Sequence, residues 1–161
     1  MRLIILLIFL LSTCQTFAQN IILSDGSEYM DTTSYQNTKC KDNNTYYYNI
    51  GGKYPESSTS ILKEVQLFLK DNQENFIGSG YITFRFKIDC EGKLMQRVQV
   101  LQTDEKYKSY HFDKGLVNEL FVFLKTLNKW KIAKARNGET LLYNAFLSFK
   151  IKNGKVNNLI P

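Results

Sequence analysis

The chain is poor in the residues that reaction chemistry and long reach require. Its 161 residues include 1 histidine, 2 prolines and 3 cysteines. With His111 alone and no CxxC or HxxxH spacing, a zinc site built from histidine and cysteine has no ligand set, so no metal and no cofactor is expected. No GxSxG elbow or metal motif is present to name a reaction. Two prolines, Pro55 and Pro161, cannot make a stiff proline-rich spacer. The uninterrupted apolar run Leu3 to Leu11 is far shorter than the ~20 residues of a spanning helix, so no stable membrane span is expected. A one-signed charge block is missing too. The formal net charge is +6, but lysines alternate with Asp and Glu, which reads as a solvated face rather than a nucleic-acid footprint.

What is present begins with a leader. Arg2, the apolar run, polar Ser12 and Thr13, then Thr16-Phe17-Ala18 have the layout of a signal peptide, 1–18, with cleavage after Ala18. Arg2 is the only charge in that stretch, so the mature chain from Gln19 carries one charge fewer than the formal +6. Leu11-Ser12-Thr13-Cys14 offers a competing lipobox, which would make a lipoprotein anchored through Cys14. Either route exports the chain, to the periplasm or beyond. Export favours oxidation, and the two remaining cysteines, Cys40 and Cys90, are expected to pair. The competing reading is two separate buried thiols.

Residues 19–56 form a polar, partly irregular segment rich in Asn, Asp, Ser, Thr and Tyr. Asp25-Gly26 and Gly51-Gly52 are turn signals. Asp31-Thr32-Thr33 resembles a short acceptor for O-linked sugar. Tyr46-Tyr47-Tyr48 reads as a short strand or as a binding patch.

From residue 57 to 161 the pattern is that of one domain. Ile61, Leu62, Val65, Phe68 and Leu69 make the buried stripe of a helix over 57–71, capped by Ser58, Thr59 or Ser60. In "YITFRFKID", Ile82, Phe84, Phe86 and Ile88 alternate with polar residues, as one strand of a hairpin. Gly92 suits the left-handed position of its turn. The return strand carries Leu94, Val98 and Val100, with Gln96 out of pattern. Asp113 opens a second helix striped by Leu116, Leu120, Phe123, Leu124 and Leu127, stopping near Asn128. After Asn137-Gly138, the alternation of Tyr143, Ala145, Leu147, Phe149 and Ile151 predicts a last long strand. Asn153-Gly154 then predicts a tight turn into a short strand at 155–159. The fold class is α+β: a small antiparallel sheet with two helices on one face, in the order helix-strand-strand-helix-strand.

Three stretches together carry a resemblance. Gly80, Phe86, Asp89, Gly92 and Lys93 in the hairpin, Trp130, Lys131, Ala133 and Gly138 after the second helix, and Phe149 and Ile151 in the last strand resemble the pattern of the TonB C-terminal domain, over roughly residues 55–152. The resemblance implies that Trp130 closes the core where the second helix meets the last strand, and that these residues are structural. Ile132 stands where the family has proline. Without an anchor or a proline-rich spacer, energy transduction is not implied. A recognition mode is: such domains add an extended peptide to a sheet edge. The candidate edge is the last strand, with Asn144, Ser148 and Lys150 outward, unless the tail covers it or two copies pair there as a homodimer. The function expected is a non-enzymatic exported envelope protein that binds a protein or peptide. The alternatives are a structural or adhesin-like surface protein, and a small enzyme using His111 beside Ser109 and Asp113.

Overall fold

The computed structural model describes residues 21–22, 28–30, 37, 39–70, 76–95 and 97–160. Eight strands and two long helices lie among them: β1 Ile21–Ile22, β2 Glu28–Met30, β3 Lys41–Tyr46, α1 Ser58–Lys70, β4 Gly80–Ile88, β5 Val98–Asp104, α2 Lys114–Thr126, β6 Ala133–Lys134, β7 Thr140–Lys152 and β8 Lys155–Ile160. The leader, Cys14, Asp25-Gly26, Asp31-Thr32-Thr33 and Gln96 lie outside the described residues. No helix among those described is long and apolar enough to cross a membrane.

Period-two alternation does what the sequence predicts. Ile82, Phe84, Phe86 and Ile88 of β4 are buried, and they pair across the sheet with Phe149, Leu147, Ala145 and Tyr143 of β7. Val98 and Val100 of β5 continue this inner face. Both helices contribute to the same core: Ile61 and Val65 from α1, and Leu116, Val117, Leu120, Phe121, Phe123 and Leu124 from α2. Each large apolar side chain so buried is worth roughly 1.5–3 kcal/mol, so this one layer holds most of the fold's driving force.

The helix ends follow local chemistry. Asp113 Oδ1 accepts from the Gly115 amide at 2.7 Å and caps α2. The cap of α1 is Ser57, whose Oγ accepts from Ser60 N at 3.1 Å, one residue before the three expected to serve. Asn153 and Gly154 both hold positive φ and turn β7 into β8, as their dipeptide predicts.

The sheet is larger and less uniform than expected. Its order is β1-β2-β5-β4-β7-β3, with β6 and β8 also on β7. It is mixed rather than antiparallel, because β3 runs parallel to β7. The polar segment 19–56 thus supplies strands of the common sheet. The largest correction concerns β7. It pairs with β4 over Tyr143–Ile151, and it also pairs with β3 at 141–144 and with β8 at 148–152. The last long strand is therefore central, and the recognition edge expected at Asn144, Ser148 and Lys150 does not exist. β3 covers it at Asn144, and the tail covers it at Ser148 and Lys150, where the competing expectation had the tail.

Candidate binding surface

Of the residues expected to be structural, Asp89, Gly92, Lys93 and Trp130 meet at one corner, while Gly80 and Ile151 pair with each other at the opposite end of β4 and β7. Asp89 is buried, and its Oδ1 accepts from the amides of Glu91 and Lys93, both at 2.8 Å. Its Oδ2 accepts from Asn37 Nδ2 at 3.1 Å. A carboxylate holding three donors fixes the hairpin turn. Gly92 sits in it at φ +80. Beside it Cys40 and Cys90 form a disulfide with Cα atoms 5.5 Å apart. Trp130 is 7% exposed and packs edge-on against Phe86 at 5.1 Å and Tyr54 at 4.9 Å. Its flanking cations, Lys129, Lys131, Lys134 and Arg136, are exposed. The tryptophan is a core residue and not a stacking platform.

Among the described residues the same five-residue turn occurs three times. In each, the first residue's amide donates to the fifth residue's carbonyl, and the fourth residue's amide donates back to the first residue's carbonyl. This joins Asp89 to Lys93, Asp104 to Lys108, and Ala135 to Glu139. The fourth position needs a left-handed backbone. Gly92 and Gly138 supply it in two copies, at φ +80 and +84. In the third, Tyr107 takes it at φ +60. A tyrosine there carries a steric penalty that glycine does not, roughly 1–2 kcal/mol. The ring so displayed is 73% exposed and stacks on Tyr81 at 5.2 Å and 9°. Hydrogen bonding to Tyr81 pushes the Tyr107 phenol above its ordinary pKa.

Tyr107 stands over the outer face of the sheet, which carries neither helix. One row crosses it at right angles to the strands. Tyr46 of β3 stacks on Phe146 of β7 at 5.7 Å, and Arg85 of β4 lies 5.8 Å over the same ring. Arg85 pairs with Gln99 of β5, and Gln99 with Tyr29 of β2. Tyr48 extends the stack beyond Tyr46 at 5.5 Å. A second row holds Tyr81 with Lys150 above its ring at 6.0 Å. Between the rows Thr83 and Ser148 share a 2.5 Å hydrogen bond, beside exposed Leu101. Ser148 and Lys150 thus lie on this outer face and not on an edge. Asn144 is buried, its amide donating to Asn44 Oδ1 and Thr45 O.

Of the three residues of the enzyme reading, His111 Nδ1 lies 3.3 Å from Glu28 Oε1, Asp113 Oδ1 accepts from the Gly115 amide, and Ser109 forms a β-bridge with Thr103. Among the described residues no cluster of three His, Cys, Asp or Glu side chains is placed to hold a metal. Glu56, Glu64 and Lys129 meet at the surface, where the Lys129 ammonium beside Glu56 holds that carboxyl below its usual range. A groove of about 360 Å³ opens between the hairpin tip and the end of α2, floored by Leu94, Val98, Phe121 and Leu127. Its cations are engaged: Lys93 pairs with Glu91, and Lys125 lies over Phe121. Compared with protein-family models, curated proteins and solved structures, the chain has no significant match.

Proposed function

We propose that the chain is an exported protein-interaction module built like the C-terminal domain of TonB, that it is not itself an energy transducer, and that it binds its partner on the outer face of its sheet. The likeness in sequence supports the family, and the order helix-strand-strand-helix, followed by the two-residue β6 and the long β7, within residues 58–152 is compatible with it. The disulfide fits an oxidising compartment.

One observation carries the binding reading. Tyr107 occupies a turn position that the same molecule fills elsewhere with glycine, and it uses that position to hold a ring in solvent above a helix-free sheet face. Strained backbone that a fold does not need points to function. The Tyr-rich segment does not favour an adhesin, because the ring of Tyr46 is taken up by Phe146.

Photo-crosslinking residues introduced in cells at Leu101 and Tyr107, and at the helix-surface positions Leu67 and Val122 as controls, test the reading. All four native side chains are exposed. A discrete protein adduct from the sheet face and none from the helices is expected. No adduct, or equal adducts from all four, overturns it.

A further inference from the structure

The charges of the face narrow the partner. Its strand-borne cations include Arg85, Lys87 and Lys150, with Arg97 at the rim 5.0 Å from the ring of Tyr29. The carboxylate among them, Asp42, is held by Lys87 at 2.5 Å. Among the described residues no carboxylate pairs with Arg85, Arg97 or Lys150. Each instead lies over an aromatic ring, at 5.8, 5.0 and 6.0 Å respectively. These rings are half-buried at the sheet surface, where a cation on a ring gains little, and a carboxylate offered in a partly dried interface competes with it well.

We propose that this face docks an acidic segment of a partner polypeptide, with Arg85 and Lys150 receiving carboxylates and Tyr107 as the protruding anchor. The proposal rests on the interaction reading above and adds the chemistry of the partner. Tyrosine and arginine are the side chains that most often dominate such contacts. Two other occupants fit less well. Nucleic acid and sugar use a run of free ring faces, but Tyr46 is stacked between Tyr48 and Phe146, and Tyr81 under Tyr107, which leaves open faces at the end rings Tyr48 and Tyr107. A second copy meeting this face with its own would set Arg85 and Lys150 against like charges, in a chain whose net charge is already +6.

The probe is a random glutamate–tyrosine copolymer, compared with a lysine–tyrosine copolymer, a sulfated polysaccharide and single-stranded DNA. The expected result is binding of the glutamate–tyrosine copolymer alone, weakening with salt. The double variant Arg85→Glu/Lys150→Glu should lower the affinity at least about tenfold, and so should Tyr107→Gly. Tyr107→Gly should melt within a few degrees of the parent, because relief of the backbone offsets the lost ring contact. Lys63→Glu, on α1, should change nothing. Equal binding of the polysaccharide or the DNA, indifference to both face variants, or dimerisation through the face in sedimentation overturns the proposal. Crosslinks in cells that survive charge reversal remove the acidic partner and leave the module. Copolymer binding with no adduct in cells removes both.

Discussion

The carbonyl oxygen of Trp130 lies 2.8 Å from the point that a side-chain carbon on Gly92 would occupy. The hairpin tip and the strand-entry segment after α2 are therefore in backbone contact, and a left-handed backbone adds a second reason for glycine. Gly92→Ala should destabilise by roughly 1–2 kcal/mol from the backbone alone, and by more through the clash. Chemical denaturation measures the loss. A variant as stable as the parent would mean that the two segments part freely.

Trp130 fills the end of the core between Phe86 and Tyr54, and its buried Nε1 has no hydrogen-bond partner among the described residues. Trp130→Ala should cost roughly 3–5 kcal/mol. Trp130→Phe should cost less, since it keeps a ring and removes an unmatched donor. Emission from this lone tryptophan should be blue-shifted and should redden on unfolding. A native spectrum typical of indole in water contradicts the packing.

The Cys40–Cys90 bridge closes a span of 50 residues and fastens the start of β3 to the hairpin tip. Disulfides typically contribute roughly 2–4 kcal/mol, and loop closure over this span favours the upper end. Replacing both cysteines with serine should lower stability by about that much, and amide exchange should speed up first in β3. Equal stability of the reduced and oxidised protein would sink the expectation.

Burial pushes the Tyr143 phenol well above its ordinary pKa, and its hydroxyl donates to Lys131 O at 2.8 Å. The fold holds the neutral phenol, while the unfolded chain ionises near pH ~10. This contribution is therefore complete below pH ~10 and is lost as pH rises toward the folded value, at up to ~1.4 kcal/mol per pH unit. Tyr143→Phe should be somewhat less stable at neutral pH, by about 1 kcal/mol, and its stability should fall less steeply above pH ~10. Parallel slopes for the two proteins would exclude this source.

Much of the inner architecture is legible in the sequence because it is local. The stripes of α1 and α2, the alternation of β4 and β7, and the turn residues Gly92 and Asn153-Gly154 each write their structure within a dozen residues. The neighbours of β7 are not written that way. Alternation places Asn144 on the outer face but says nothing of β3, whose parallel pairing joins segments about a hundred residues apart. Asn144 is 3% exposed only because Asn44 and Thr45 reach it. Tyr107 left a trace that composition hides: Asp104 to Lys108 repeats the spacing of Asp89 to Lys93, with tyrosine in the glycine position.

The parallel pairing of β3 with β7 also orders events in time. A chain emerges amino end first, so β3 exists long before its partner, and pairing across about a hundred residues is a slow, long-range step. The β4–β5 hairpin can form much sooner, since its strands are neighbours in sequence. Its tip carries Cys90, and a bridge to Cys40 would hold β3 beside the growing sheet until β7 arrives. Under oxidising conditions the last strand would then enter a slot with both walls already in place, and under reducing conditions it would have to gather β3 from a free chain.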